Sequence, residues 1–173
     1  MSVSRRRFLL GAATLPLAGC GFQPVYMPTA SGKPGPAERE LSAINVGIIP
    51  DRSGQLLRQA LQARLADDGG TPQLYDLAVS FGIIGDSIGI LQNNLATRVR
   101  LIGSANYVLT TRTTPPVRLT GGSARTVDAY NLFDQQLFAA DMEDESVRRR
   151  SAETLAEQIA NQLAIFFRKR AAG

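Results

Sequence analysis

Residues 75–111 read YDLAVSFGIIGDSIGILQNNLATRVRLIGSANYVLTT, and this stretch sets the architecture. Tyr75, Leu77, Val79, Phe81 and Ile83 alternate with smaller or polar residues. That is the two-residue period of a strand with one buried face. The phase then changes: Ile84, Ile88 and Ile90 are even-numbered, with Gly82, Gly85 and Gly89 around the change. A β-bulge or bend is expected there. Asn93-Asn94 has turn chemistry. Beyond it Val99, Leu101, Gly103, Ala105, Tyr107 and Leu109 form one face, and Arg98, Arg100, Ser104, Asn106 and Thr110 the other. The two runs predict a long β-hairpin.

Downstream, Thr113-Thr114-Pro115-Pro116 is a second turn, followed by a third run of strand character from Val117 to about Tyr130. Gly121, Gly122, Ser123 and Ala124 in its middle permit close approach of another backbone or mark an irregularity. Upstream, Ile44, Val46 and Ile48 alternate within a predicted strand over residues 41–49, which Pro50 stops. Asp51 to Gly54 is a turn with Ser53 as expected N-cap. A helix from about Gln55 to Asp67 follows, with Leu57, Leu61 and Leu65 on one face and Gly69, Gly70 and Pro72 at its end. Residues 131–140 fit either a connection or the start of the last helix. That helix carries Val147, Ala152, Leu155, Ala156, Ile159, Leu163, Phe166 and Phe167 at helical spacing. Asp141, Glu143, Asp144 and Glu145 are read as preceding it, and Arg168-Lys169-Arg170 as closing it, both favourable to the helix dipole.

The predicted order is β-α-β-β-β-α. Two amphipathic helices and one small sheet give an α+β fold: a two-layer α/β sandwich with a four-stranded mixed sheet, both helices on one face and the other sheet face free. Strand, crossover helix and strand make the first pair parallel, and the hairpin makes the rest antiparallel.

Composition narrows the function. The chain has no His, no Trp and a single Cys. Disulfide frameworks, Ser-His-Asp triads, Cys-His pairs and His-bearing zinc sites are excluded. Lys occurs only at Lys33 and Lys169. The chain reads as non-enzymatic and without a cofactor. A carboxylate-dependent hydrolase would have to use Asp76, Asp86 or Asp128, whose spacing gives no pairing signal. The formal charge of +4 includes Arg5, Arg6 and Arg7, so there is no charge argument for nucleic acid once the leader is set aside.

The leader is the strongest local motif. Arg5-Arg6-Arg7 precedes an apolar run over residues 8–18 and then Leu17-Ala18-Gly19-Cys20. A membrane-spanning helix needs about 20 apolar residues, more than this run supplies. The pattern is that of a bacterial lipoprotein signal, with residues 1–19 removed and Cys20 lipidated. The plainer alternative is an ordinary signal peptide with a chance cysteine. Ser4 to Leu9 also resembles a twin-arginine export motif, and the general secretory route stays open beside it. Gly21, in place of Asp, is compatible with the outer membrane. Residues 20–40, with Pro24, Pro28, Pro34 and Pro36, read as the lipidated terminus and tether, leaving 41–173 as one α/β domain.

The whole resembles the LptE family of lipopolysaccharide-assembly lipoproteins, in its α-proteobacterial form. Gly21-Phe22-Gln23-Pro24-Val25-Tyr26 after Cys20 is similar to the family's opening C-G-F-x-P-L/V-Y. Ile44-Asn45-Val46 through Leu65 is similar to its first strand and helix, Tyr107 to a position in its third strand, and Phe138-Ala139 with Ile159 and Leu163 to its last helix. Over Ile159 to Leu163 the family often has I-x-x-R-L; here Asn161-Gln162-Leu163 replaces R-L, so that basic position is absent. The resemblance implies a lipoprotein on the periplasmic face of the outer membrane. It implies a partner, the LptD β-barrel, whose lumen the domain plugs, and lipopolysaccharide as the bound lipid.

Anionic phosphates call for arginine. Arg98 and Arg100 share a strand face, Arg112 and Arg118 flank the Pro115-Pro116 turn, and Arg125 lies further along. These are the candidate contacts to lipopolysaccharide or barrel; the alternative is plain surface arginines on a free sheet face. A competing function is that of auxiliary lipoprotein in another envelope lipid-transport system.

Overall fold

The elements run α1 (Pro36–Ser42), β1 (Ile44–Val46), α2 (Arg52–Leu65), β2 (Tyr75–Ile90), β3 (Ala96–Thr111), β4 (Arg118–Asn131) and α3 (Leu137–Ala172). They come from a computed structural model, which describes residues 35–65, 70–90, 96–131 and 137–172. The leader, Cys20, residues 21–26 and Asn93-Asn94 lie outside the described residues.

The sheet order is β1-β2-β3-β4. β1 pairs parallel with β2, and the other two pairs are antiparallel, giving the mixed sheet expected. Tyr75↔Thr111 through Ser87↔Val99 is an unbroken ladder. The register shifts only between Ser87 and Ile90, at the far end of the expected window. The alternation therefore continues past Ile83. Ile84 does not swing to the buried side; it is 68% exposed on the opposite face.

Odd-numbered residues of β2 and β3 face the helices. Tyr75, Leu77, Leu101, Ala105, Tyr107 and Leu109 are buried there against Leu57, Leu61, Leu155, Ile159 and Leu163. Gly103 belongs to this face because an added Cβ would sit 3.0 Å from Thr126 Cγ2 and 3.3 Å from Leu155 Cδ1. Gly121 of β4 fulfils the expected close approach: a Cβ there would lie 2.9 Å from the carbonyl oxygen of Tyr107.

Three corrections concern helix ends. First, the segment read as tether to residue 40 already folds at Pro36. Proline suits the first helical position, and Glu38 accepts a hydrogen bond from the Gly35 N–H at 3.2 Å. Ala37 and Leu41 of α1 join the core, and the Tyr75 hydroxyl donates to Glu40 Oε2 at 2.7 Å. The element order therefore gains a helix in front, and β1 shrinks to Ile44–Val46. Second, α2 starts before Ser53. Its first helical bond runs from Gln55 N–H to Asp51 C=O at 2.9 Å, which makes Asp51, at φ 66°, the cap position. Third, α3 takes in the acids read as preceding it. Asp144 and Arg148, one turn apart, pair at 2.6 Å, and Glu145 pairs with Arg52 of α2 at 2.8 Å. Among the described residues no helix is long and apolar enough to cross a membrane.

Candidate functional site

The face of the sheet turned away from the helices is the part of this fold that packing leaves unexplained. The ladder sets its composition. Gly82, Ser104 and Arg125 form one cross-strand row; Ile84, Ile102 and Val127 form the next; Asp86, Arg100 and Ala129 form a third. Arg98 and Asn131 follow as a directly opposed pair. Toward the other end, Arg118 stands opposite Thr110, itself opposite Asp76. All four strand arginines singled out from the sequence thus share this face, and Arg112 sits at its end, just beyond β3.

The charges are not balanced. Asp76 and Asp86 are the face's two acids, and both are engaged. Arg100 Nη2 lies 2.5 Å from Asp86 Oδ2. Arg112 Nε lies 3.2 Å from Asp76 Oδ2, while Asn45 donates to Asp76 Oδ1 at 2.7 Å and Arg112 donates to Gln73 Oε1 at 3.0 Å. Among the described residues Arg98, Arg118 and Arg125 have no carboxylate partner. These ion pairs are exposed and add little to stability. The surplus of cations leaves a face suited to anions.

Between the Arg100 and Arg125 rows runs the apolar row Ile84–Ile102–Val127. Ile84 and Val127 are 68% and 57% exposed. Large aliphatic side chains side by side in water cost free energy until something covers them. Sequence reading missed this row by treating Ile84 as a phase slip. The signal available was the even-numbered Ile102 on the arginine face of β3. Guanidinium groups on both sides of an apolar stripe can hold phosphates in bidentate fashion while acyl chains or an apolar protein wall cover the stripe.

The opposite surface differs in kind. A groove of about 480 Å³ between α2 and α3 has a floor of Leu56, Ala60 and Ala63 and a rim of Arg64, Arg149 and Glu153. Asp128, on the helix side of β4, pairs with Arg150 at 3.2 Å. Asp76, Asp86 and Asp128 are therefore not brought together: two lie on the outer face ten ladder positions apart, each beside its own arginine, and the third faces the helices. Burial pushes the Tyr107 hydroxyl above its ordinary range. Tyr130 is raised by burial and then by Asp144. No cluster of three or more His, Cys, Asp or Glu able to hold a metal occurs among the described residues.

A family model described as LptE, lipopolysaccharide-assembly, matches residues 41–163. The chain belongs to this family. No curated protein matches the chain. Among solved structures, a candidate lipoprotein of Caulobacter crescentus CB15 is similar at 26% identity and TM-score 0.65, over 79% of this chain and 98% of that one. A minor lipoprotein of Acinetobacter baumannii has the same fold at 16% identity and TM-score 0.55, over 70% of this chain and 90% of that one. Rare lipoprotein B of Shewanella oneidensis has it at 11% identity and TM-score 0.52, over 70% and 91%. Within the family frame, Gln162 occupies the place where the resemblance expects arginine. Its Oε1 accepts from the Tyr107 hydroxyl at 2.9 Å and its Nε2 donates to the Ser123 carbonyl at 3.1 Å. A guanidinium has no acceptor for that tyrosine.

Proposed function

We propose that this member of the LptE family is an outer-membrane lipoprotein that plugs the LptD β-barrel and takes part in delivering lipopolysaccharide to the outer leaflet. Residues 1–19 are its signal peptide, Cys20 carries the lipid, the following residues tether it, and the α/β domain faces the periplasm. The role is one of binding and positioning, with no covalent chemistry. Family membership supports the assembly role. The observation that carries the contact surface is the outer sheet face, where Arg98, Arg118 and Arg125 lack carboxylate partners among the described residues and the Arg100 and Arg125 rows flank the apolar Ile84–Ile102–Val127 row, whose Ile84 and Val127 are exposed.

A lipidated terminus carrying two or more acyl chains would hold the domain at the membrane, because each buried methylene contributes about 0.8 kcal/mol. The domain can then reach a barrel in the same membrane without lying flat on it. Purification of the tagged, lipidated protein from outer membranes in mild detergent tests the reading. A large, heat-modifiable β-barrel should co-purify in stoichiometric amount. Recovery of the lipoprotein alone, or with inner-membrane transporter subunits, would overturn it.

A further inference from the structure

We infer that the open edge of β2, from Val79 to Ser87, takes up one short extended segment of the barrel partner as an added strand. This rests on the plug reading and assigns the place where the domain holds the barrel protein by its backbone. The two edges of the sheet are treated differently. On the β4 edge, Gln158 accepts from the Arg125 N–H at 3.3 Å and donates to the Arg125 carbonyl at 3.2 Å, and Gln162 donates to the Ser123 carbonyl at 3.1 Å. Side chains of α3 thus occupy the middle of that edge. On the other side β1 covers only the start of β2. The last bond there runs from Gly47 N–H to Leu77 C=O at 3.0 Å, after which the chain departs at Ile48, 89% exposed.

Backbone parity defines what is left. Leu74 accepts from Arg112 on the β3 side, whereas Tyr75 and Leu77 bond to Ala43 and Gly47 on the β1 side. Odd-numbered residues of β2 therefore aim their N–H and C=O away from β3. Val79, Phe81, Ile83, Gly85 and Ser87 do so with no partner among the described residues. The Gly47–Leu77 bond closes this window at one end and the bulge beyond Ser87 at the other. A second copy of β2, 16 residues long, would run into β1, so the window holds only a shorter strand. Natural edges are usually blunted with lysine, proline or inward charges. Residues 79–87, VSFGIIGDS, hold no lysine, arginine or proline, and Asp86 is tied to Arg100.

The chemistry of the edge selects its occupant. The outward groups present donors and acceptors in turn, repeating about every 6.8 Å. A phosphate only accepts and an acyl chain does neither, so lipopolysaccharide cannot satisfy the row; another backbone can. The wall of a closed barrel has its own backbone already paired, so the segment is one that leaves the wall and enters the lumen. The window is continuous with the contact surface proposed above, because Ile84, at the end of the apolar row, belongs to both. Side chains on either side fix what the segment carries. Toward the helices Val79, Phe81 and Ile83 are half-buried, and apolar neighbours on the added strand complete their burial. On the outer face Gly82 stands in open space, where an added Cβ would meet nothing within 4 Å; an aromatic side chain of the segment fits over it. The segment is therefore extended, apolar at alternate positions toward the helices, and aromatic opposite Gly82.

The test uses the lipidated full-length chain purified together with its barrel from outer membranes. Amide hydrogen exchange, read residue by residue in this complex, carries its own control, since the even-numbered amides of residues 80–86 bond to β3. With the edge filled, the odd-numbered amides of residues 79–87 exchange as slowly as these; an open edge leaves them faster by about tenfold or more. Photoreactive residues at Ser80, Ile84 and Asp86, all exposed on the outer face, read the geometry without entering the core. Their adducts should fall within one stretch of the barrel protein and advance along it in order, by about as many residues as separate the probes. Fast odd-numbered amides beside slow even-numbered ones, or adducts scattered over separate strands of the wall, would overturn the added strand and leave the plug reading standing. A preparation that contains no barrel would overturn both.

Discussion

The Tyr107 hydroxyl of β3 donates to Gln162 Oε1 of α3 across 2.9 Å, and it can do so because β4 has glycine at position 122. A Cβ at Gly122 would stand 2.7 Å from Gln162 Oε1 and 2.9 Å from the Tyr107 oxygen. With its second bond, from Nε2 to the Ser123 carbonyl of β4, Gln162 joins two strands to the long helix. Gly122→Ala should destabilise the domain by about 1–3 kcal/mol, the usual effect of overpacking. Tyr107→Phe should cost about 0.5–1.5 kcal/mol, the loss of one hydrogen bond. Denaturant unfolding of both variants and of the double variant measures the two effects. Sub-additive losses are expected, since either change breaks the same bond.

Glycine has opposite meanings at positions 54 and 82. A Cβ at Gly54 would come within 2.8 Å of Ile49 Cγ2 and 3.0 Å of the Ile49 carbonyl oxygen, and backbone cannot yield as a side chain can. Gly54→Ala should cost about 1–3 kcal/mol. At Gly82 the space is open, and Gly82→Ala should be neutral or stabilising by up to about 1 kcal/mol through reduced chain entropy. Thermal melts of the pair test the packing at the α2 start against the free outer face.

The tyrosines predict an alkaline limit to stability. Burial raises Tyr75, Tyr107 and Tyr130 above the ordinary value of 10.0, with Glu40 adding to Tyr75 and Asp144 to Tyr130. The folded state thus keeps these protons to higher pH than the unfolded chain. Their stabilising contribution is full below pH 10.0 and is lost as pH rises through the raised folded values. Tyr107→Phe should therefore narrow the stability difference between about pH 9 and pH 11, measured by denaturant midpoints.

The core of α3 is the fold's main support. Leu155 is fully buried, with Cδ1 beside Gly103. Leu155→Ala should cost about 2–5 kcal/mol. Ile165→Ala, on the exposed side of the same helix, should change stability by no more than about 0.5 kcal/mol. Equal losses at the two positions would contradict this orientation of α3.

Where residue spacing alone carries the information, the sequence was legible. Alternation placed Leu77, Leu101, Tyr107 and Leu109 on the buried face, and helical spacing did so for Leu155, Ile159 and Leu163. Reading failed where a residue type has two uses. Pro36 serves as a helix starter as well as a breaker, and Asp141 to Glu145 suit a helix interior when arginines lie one turn away. The outer arginines were legible individually, but their union with Ile84, Ile102 and Val127 was not. That union depends on the register of three strands, which no single run contains.

The outer sheet face, rather than the helix layer, is the surface expected to meet lipopolysaccharide or the barrel. Photo-cross-linking in intact outer membranes decides between the two surfaces, with a photoreactive residue at Val127 on the exposed apolar row or at Gln59 on the α2 surface. Adducts with lipopolysaccharide or a large outer-membrane protein are expected from position 127 and none from position 59. Adducts from position 59 with none from position 127 would show that the helix layer makes the contact and that the assignment to the sheet is wrong.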